Sequence, residues 1–122
     1  MNVIAAAQFK THRPYQMSQA ERDLRVQLAA AFRVAHHYSW NKQINNHITA
    51  RLPDQPDRFL MNPFGLGWDE ITASNLVTID FNGNVLSHEG VKLAPAGYNF
   101  HSGILKARSH LNCVIHVHAP AS

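Results

Sequence analysis

The sequence predicts an α/β domain in which a mixed sheet is flanked by helices. Residues 18–37 carry apolar side chains at the spacing of an amphipathic helix. Residues 48–61 and 76–86 each contain two short β-forming runs separated by turn residues, the pattern of a hairpin. A second helical pattern at 95–108 precedes a last β-forming run at 113–118. This order is typical of a sheet with helices packed on it.

The composition is that of a globular chain without an extensive charged surface. The 122 residues are 45% hydrophobic and carry a formal net charge of +3 from 11 basic and 8 acidic residues. The basic residues form no run and are not interleaved with aromatic ones, which argues against a nucleic-acid surface. No apolar run approaches the ~20 residues of a membrane span. The single cysteine, Cys113, excludes an internal disulfide, so we expect a reducing, cytoplasmic compartment.

One domain is expected to span 18–122, after an N-terminal tail at 1–17. The tail carries Pro14 and no clear period. No repeat, low-complexity segment or long linker divides the remainder.

The first helix has a recognisable start and one predicted buried face. Ser18 and Glu21 have the spacing of a capping box, in which each side chain accepts from the other residue's backbone N–H. The helix is expected to end near His37 and to leave Arg22, Arg25 and Arg33 to solvent. The predicted buried stripe consists of Leu24, Leu28, Ala31, Phe32, Ala35 and Tyr38.

The last β-forming run carries the strongest candidate for a site, His116 and His118. Side chains two residues apart in a strand lie on the same face, roughly 7 Å apart, so both rings can turn onto one metal ion. Cys113, Ile115 and Val117 point to the other face, which we expect to be core. The alternative is a pair of half-buried, hydrogen-bonded histidines without a ligand, because two imidazoles fall short of a zinc or iron(II) site.

A complete metal site would need one or two further ligands. The missing ligand can also lie beyond the end of this sequence or on another subunit. Among the candidates within it, Cys113 lies on the wrong face and His110 in an expected turn. The candidates are His101, His110, His88, Glu89 and Cys113.

The loop at 62–68 is a second candidate for contact with a ligand. Gly65 and Gly67 allow a close backbone approach, and their N–H groups could bind a simple anion without a metal. The alternative is a plain turn in which Trp68 anchors the core.

Three stretches resemble, in order, the class II aldolase/adducin domain. They are 45–51, which reads Asn-Asn-His-Ile-Thr-Ala-Arg, the loop at 62–74, and the segment from Phe100-His101-Ser102 to His116-Val117-His118. The resemblance covers about residues 20 to 121. It implies a three-layer α/β/α fold with a central, mainly antiparallel sheet, incomplete at the C-terminus of this chain. It also implies a tetramer with the site near a subunit interface.

The resemblance also implies a metal site. In the sugar-phosphate aldolases of this family, zinc or another divalent metal is held by a His-x-His pair and a third histidine, and it polarises the carbonyl of the substrate. The pair corresponds to His116 and His118, and the third histidine would lie beyond Ser122. We therefore expect a weak or incomplete site. Asn46 and Gly65 correspond to positions on the phosphate side and are the expected substrate contacts.

This sequence departs from the aldolases at Gly97. Those enzymes have a glutamate there that serves as acid and base, so the catalytic residue of this chain is unknown. Pro95, Ala96 and Phe64 replace residues that offer hydroxyl groups to the substrate phosphate. A sugar phosphate is therefore not the expected substrate, and the pattern is closer to the adducin-like branch.

Two functions are compatible with the resemblance. The first is a metal-dependent lyase, or a related epimerase or decarboxylase, that acts on a small hydroxy-carbonyl compound. The alternative is a non-catalytic, adducin-like assembly or binding module. In either case we expect a homo-oligomer, because a domain that ends after the His116 strand should leave a sheet edge to be covered. We expect no nucleic-acid or membrane partner.

Overall fold

A four-stranded antiparallel sheet lies between two helices in the computed structural model, which describes residues 15–42 and 45–119. Residues 1–14 of the predicted tail lie outside these ranges. Neither helix is long and apolar enough to cross a bilayer within the part described. The elements are α1 (Gln19–His37), β1 (His47–Arg51), β2 (Arg58–Met61), β3 (Val77–Asp80), α2 (Pro95–Ala107) and β4 (Cys113–His116), with a 3-10 turn at Trp68–Glu70.

The strand order is β3-β2-β1-β4, and every neighbouring pair is antiparallel. The prediction of a mixed sheet is therefore wrong for the described residues, whereas the mainly antiparallel sheet implied by the resemblance is confirmed. The predicted second hairpin is reduced to one bridge between Ile79 and Val85. Its turn does form, because the Asp80 carboxylate accepts the backbone N–H groups of Asn82 and Asn84, each at 2.9 Å.

Each face of the sheet carries its own hydrophobic core. Ile48, Ala50 and Leu60 pack with α1 on one side, while Phe59 and Met61 pack with residues of α2 on the other. Successive strand residues point to opposite faces, so a strand buried on both sides serves two cores. The three-layer α/β/α architecture is thus confirmed.

Buried charge at the start of α1 corrects two sequence predictions. The Ser18 hydroxyl accepts the Glu21 N–H at 3.1 Å, as predicted. The Glu21 carboxylate, however, pairs with Arg25 at 2.9 Å and accepts the Thr78 hydroxyl at 2.6 Å instead of completing a capping box. Arg25 is only 2% exposed, contrary to its predicted place in solvent, because its guanidinium also donates to the Leu76 carbonyl. This network ties α1 to the sheet.

The buried stripe of α1 is shifted towards Glu21, Arg25 and Ala29 relative to the predicted one. Leu28 and Phe32 are buried, but Ala31 and Tyr38 are exposed. Trp68 is buried and meets the Phe32 ring edge-on, with 4.9 Å between centroids. The interpretation in which Trp68 anchors the loop at 62–68 in the core is therefore correct for this tryptophan.

Strand β4 lies at an edge of the sheet, and one of its faces is open. Cys113 is exposed and Ile115 is 54% exposed, although both were predicted to be core; Val117 is partly buried against the α1 core. A groove of about 530 Å³ separates α1 from Cys113. The alternation was predicted correctly, but the described residues do not cover this face.

Candidate metal and ligand site

Alternate residues of β1 meet successive turns of α2. Two residues of a strand advance about 6.6 Å and four residues of a helix about 6 Å, so the two repeats nearly match. All of β1 is buried, and this match places its polar side chains against the helix. The facing pairs are His47 with Gly97, Thr49 with His101, and Arg51 with Leu105.

Two of these pairs fix the position of α2. Thr49 Oγ1 and His101 Nδ1 share a hydrogen bond of 2.7 Å. The Arg51 guanidinium donates to the carbonyl of Leu105 and, at 3.3 Å, to that of Arg108. A cation is favourable at the C-terminal end of a helix, where carbonyl groups lack helical partners. The helix is therefore anchored at its middle and its end.

Four imidazoles form a row from the interior to the surface. His101 is fully buried, and its ring centroid lies 5.6 Å from that of His47. The ring centroids of His47 and His116 are 6.2 Å apart, and these rings are nearly parallel. Those of His116 and His118 are 4.9 Å apart, and these rings are perpendicular. Strand register produces the central step, because His47 and His116 are directly paired across β1 and β4. His118 at the outer end is exposed.

A cavity of about 350 Å³ opens beside this row. Two histidines and one asparagine supply its polar groups, and the remaining lining comes from the apolar start of α2. The helix begins there without a side-chain cap, because Ala94 is the N-cap residue. No charged residue of the described chain lines the cavity. The lining residues are Asn45, His47, Ala94, Ala96, Gly97, Phe100 and His116.

Burial leaves polar atoms near the row without partners. His47 Nε2, His101 Nε2 and Asn62 Oδ1 are buried and have no hydrogen-bond partner among residues 15–42 and 45–119. Burial lowers the pKa of His47, and the neighbouring His116 lowers it further. Burial, followed by the charges of His47 and His116, lowers the pKa of His101 to about 4. Both inner imidazoles are therefore neutral near pH 7.

The His116 and His118 rings are adjacent, as the spacing predicted. Imidazole is a common ligand of zinc, so these two donors fit part of a zinc shell. Within the described ranges, no group of three or more His, Cys, Asp or Glu side chains is arranged to hold a metal ion. Metal binding by His116 and His118 stays a prediction.

The other predicted ligands lie apart from this pair or behind it. His88 is engaged at both ring nitrogens, with the Ser87 hydroxyl and the Ser74 carbonyl, each at 2.7 Å. His101 is separated from His116 by the His47 ring. The remaining candidates are exposed and are not among the cavity's lining residues: His110, Glu89 and Cys113.

The two predicted substrate contacts are placed differently. Asn46 is 1% exposed; its amide donates to the Lys42 carbonyl at 2.8 Å and accepts the His118 N–H at 3.0 Å. This side chain holds the segment that follows β4 against the start of β1. Gly65 is exposed, has a φ of +95°, and does not line the cavity. Substrate binding by either residue stays a prediction.

His47 is the site residue that sequence reasoning missed. An ideal Cβ added to Gly97 would lie 2.6 Å from His47 Nε2, so the close approach of helix and ring requires glycine at 97. The available signal was the alternation of His47, Thr49 and Arg51, which places three polar side chains on one face of a strand. Its meaning depends on α2, which is distant in sequence.

Comparison with known proteins defines the family. Residues 26–122 match the Class II Aldolase and Adducin N-terminal domain. The chain belongs to this family.

Individual relatives include enzymes and adducins. The structure is similar to that of an aldolase II superfamily protein from Pseudomonas syringae, with a TM-score of 0.80 and 44% identity over 84% of this chain and 42% of that one. An L-fuculose 1-phosphate aldolase from Glaciozyma antarctica gives a TM-score of 0.75 and 30% identity over 88% and 46%. Alpha-adducin of Rattus norvegicus is 40% identical over 83% of this chain and 14% of its own length. The chain thus spans less than half of each of these relatives.

Proposed function

We propose that this chain contributes part of the site of a metal-dependent lyase, or a related epimerase or decarboxylase, that acts on a small hydroxy-carbonyl compound in the cytoplasm. The observation that carries the proposal is the adjacent pair of imidazoles at His116 and His118, with His116 lining a cavity. Membership of the class II aldolase and adducin family supports it.

The ligand that suits this cavity is small and lacks a phosphate group. No lysine or arginine of the described residues lines the cavity, and Ala94 and Ala96 offer no hydroxyl group. Phosphate sites in proteins rely on cationic side chains, hydroxyl groups or several backbone donors, and of these the described part of the cavity offers only the Ala96 and Gly97 N–H groups at the start of α2, because Pro95 has none. The Phe100 ring and the alanines instead provide an apolar wall against the carbon skeleton of a ligand.

His116 and His118 would hold the metal, with further ligands from outside this pair. When bound, a divalent metal supplies Lewis-acid polarisation of a carbonyl or hydroxyl oxygen. The neutral rings of His47 and His101 add no positive charge that would repel a cation. Asn46 holds His118 through its backbone N–H and so fixes the outer ligand relative to β1.

Zinc titration tests the metal site. We expect weak binding of one zinc ion per chain, because water must complete a shell that starts from two imidazoles. Binding should be lost in His116→Ala and in His118→Ala and kept in His110→Ala, which removes an exposed histidine elsewhere. Undiminished zinc binding by His116→Ala would refute the assignment.

A pair of ligands that differ only in phosphate tests the substrate class. We expect dihydroxyacetone to shift the NMR signals of the cavity histidines more than dihydroxyacetone phosphate does, with a chelator present so that no metal ion attracts the phosphate. The reason is that this cavity has no cationic side chain to replace the water around a phosphate. Stronger shifts with the phosphorylated compound would contradict the proposal.

A non-catalytic assembly module is the second candidate. The open face of β4, with Ile115 54% exposed, favours it, as does the similarity to alpha-adducin. Exposed apolar surface at a sheet edge is suited to contact with another chain. Self-association without zinc binding at His116 and His118 would favour this candidate over the enzyme.

A further inference from the structure

The tip of the His47 ring abuts the backbone of α2 at Gly97. An ideal Cβ on residue 97 would lie 2.6 Å from Nε2, 2.7 Å from Cε1 and 2.9 Å from Cδ2 of this ring. Contacts under 3 Å between such atoms are repulsive, so the ring and a side chain at 97 cannot occupy the same space. Gly103, in the same helix, has nothing within 4 Å of its ideal Cβ. The need for glycine is thus specific to the position facing His47.

The His47 ring also bounds the space available to His116. The two rings are 6.2 Å apart and inclined by 20°, and the Phe100 ring lies 5.8 Å from that of His116 at an interplanar angle of 62°. These neighbouring rings restrict the rotamers of His116, which is only partly buried. A ligand side chain held in one orientation loses less conformational entropy when it binds a metal.

We propose that His47 is a positioning residue for His116 and that Gly97 is the glycine that makes room for it. The inference rests on the proposed metal site. It adds to that site the pair of His47 and Gly97, neither of which is a metal ligand. A ring kept only to fill space would not need nitrogen, yet His47 Nε2 is buried without a partner among the described residues. Such an atom is costly to bury. The ring lines the cavity between α2 and β1, whereas this nitrogen lies against Gly97 and is closed off from the cavity.

The pair also determines what the cavity presents to a ligand. The imidazole of His47 occupies the space into which a side chain at 97 would project. A glutamate at 97 would therefore have to displace His47 before its carboxylate could enter. The His47 imidazole and a carboxylate from residue 97 therefore cannot both occupy this part of the site.

Two matched glycine substitutions test the pair. Gly97→Ala and Gly103→Ala add the same methyl group to the same helix, but only the first meets His47. We expect Gly97→Ala to weaken zinc binding about 10- to 100-fold, the usual effect of losing a residue that orients a ligand. It should also abolish the NOE between the His47 and His116 rings in metal-free protein. Gly103→Ala should leave both properties unchanged.

A double variant separates positioning from simple steric damage. His47→Ala/Gly97→Ala removes the clash, so it should fold even if Gly97→Ala does not. Zinc binding should stay weakened in it, because His116 has lost its neighbouring ring. Wild-type zinc affinity in the double variant, or an intact NOE between the rings in Gly97→Ala, would overturn the proposal. If the wild-type chain binds no zinc, the proposed metal site fails, while the metal-free NOE still decides whether Gly97 sets the contact between the rings.

Discussion

Acidification should destabilise this fold through its buried histidines, His101 above all. The His101 ring is fully buried and its pKa is about 4, against an ordinary value of 6.5. Between about pH 6.5 and pH 4 the unfolded chain binds a proton at this residue and the folded chain does not. Stability is therefore complete above pH 6.5 and is lost as the pH falls from there towards 4. His47, whose pKa is also lowered, acts in the same direction.

The size of the effect follows from the shift. A pKa lowered from 6.5 to about 4 corresponds to about 3 kcal/mol, because one unit is worth about 1.4 kcal/mol. Of this stability, about 2 kcal/mol is lost as the pH falls from 7 to 5. Since a small domain has only about 5–15 kcal/mol of stability in total, the loss is readily measured.

Urea unfolding at pH 7, 6 and 5, with a chelator present, measures the loss. We expect the free energy of unfolding of the wild-type chain to fall by at least about 2 kcal/mol over this range. His101→Gln should show a flatter dependence, and His110→Gln, at an exposed position, should behave as wild type. Equal slopes for wild type and His101→Gln would show that burial of this ring is not the cause.

Three further outcomes are expected. Arg25→Leu should lower the free energy of unfolding by about 3–5 kcal/mol, because it leaves Glu21 buried without its cation. Arg22→Leu, on the exposed face, should change it by less than about 0.5 kcal/mol. Equal losses for the two variants in urea unfolding would contradict the role of the buried network. Sugar phosphates should not be cleaved detectably even with zinc supplied, since Gly97 provides no acid or base; robust cleavage would show that another group does. Light scattering should show an oligomer that covers Ile115, and a stable monomer at micromolar concentration would refute this.

Elements with local signals were predictable from the sequence. The pattern at 95–108 gives the end of α2, Ala107, to within one residue, and the start at Pro95 was predictable because proline is favoured at the first helical position. The run at 58–61 became β2 for a similar reason, with turn residues on its N-terminal side. The adjacency of His116 and His118 also follows from local geometry alone.

Features that depend on distant partners were not predictable in this way. The helical pattern assigns Arg25 to solvent, and its burial depends on carbonyl and hydroxyl groups near β3. From the sequence alone, glycine at 97 indicates only that a carboxylate is missing. The structure adds that the His47 ring lies against this position. Cys113 and Ile115 alternate as a core face would, but nothing local shows that their side of the sheet is left open.

The register between β1 and β4 has a kinetic consequence. His47 and His116 are paired across strands that are far apart in sequence, so the row of imidazoles is complete only when the sheet has closed over the intervening chain. Contacts that form after the folding transition state affect the rate of unfolding and leave the rate of folding almost unchanged. A ligand of this site should therefore lengthen the lifetime of the native state without accelerating refolding.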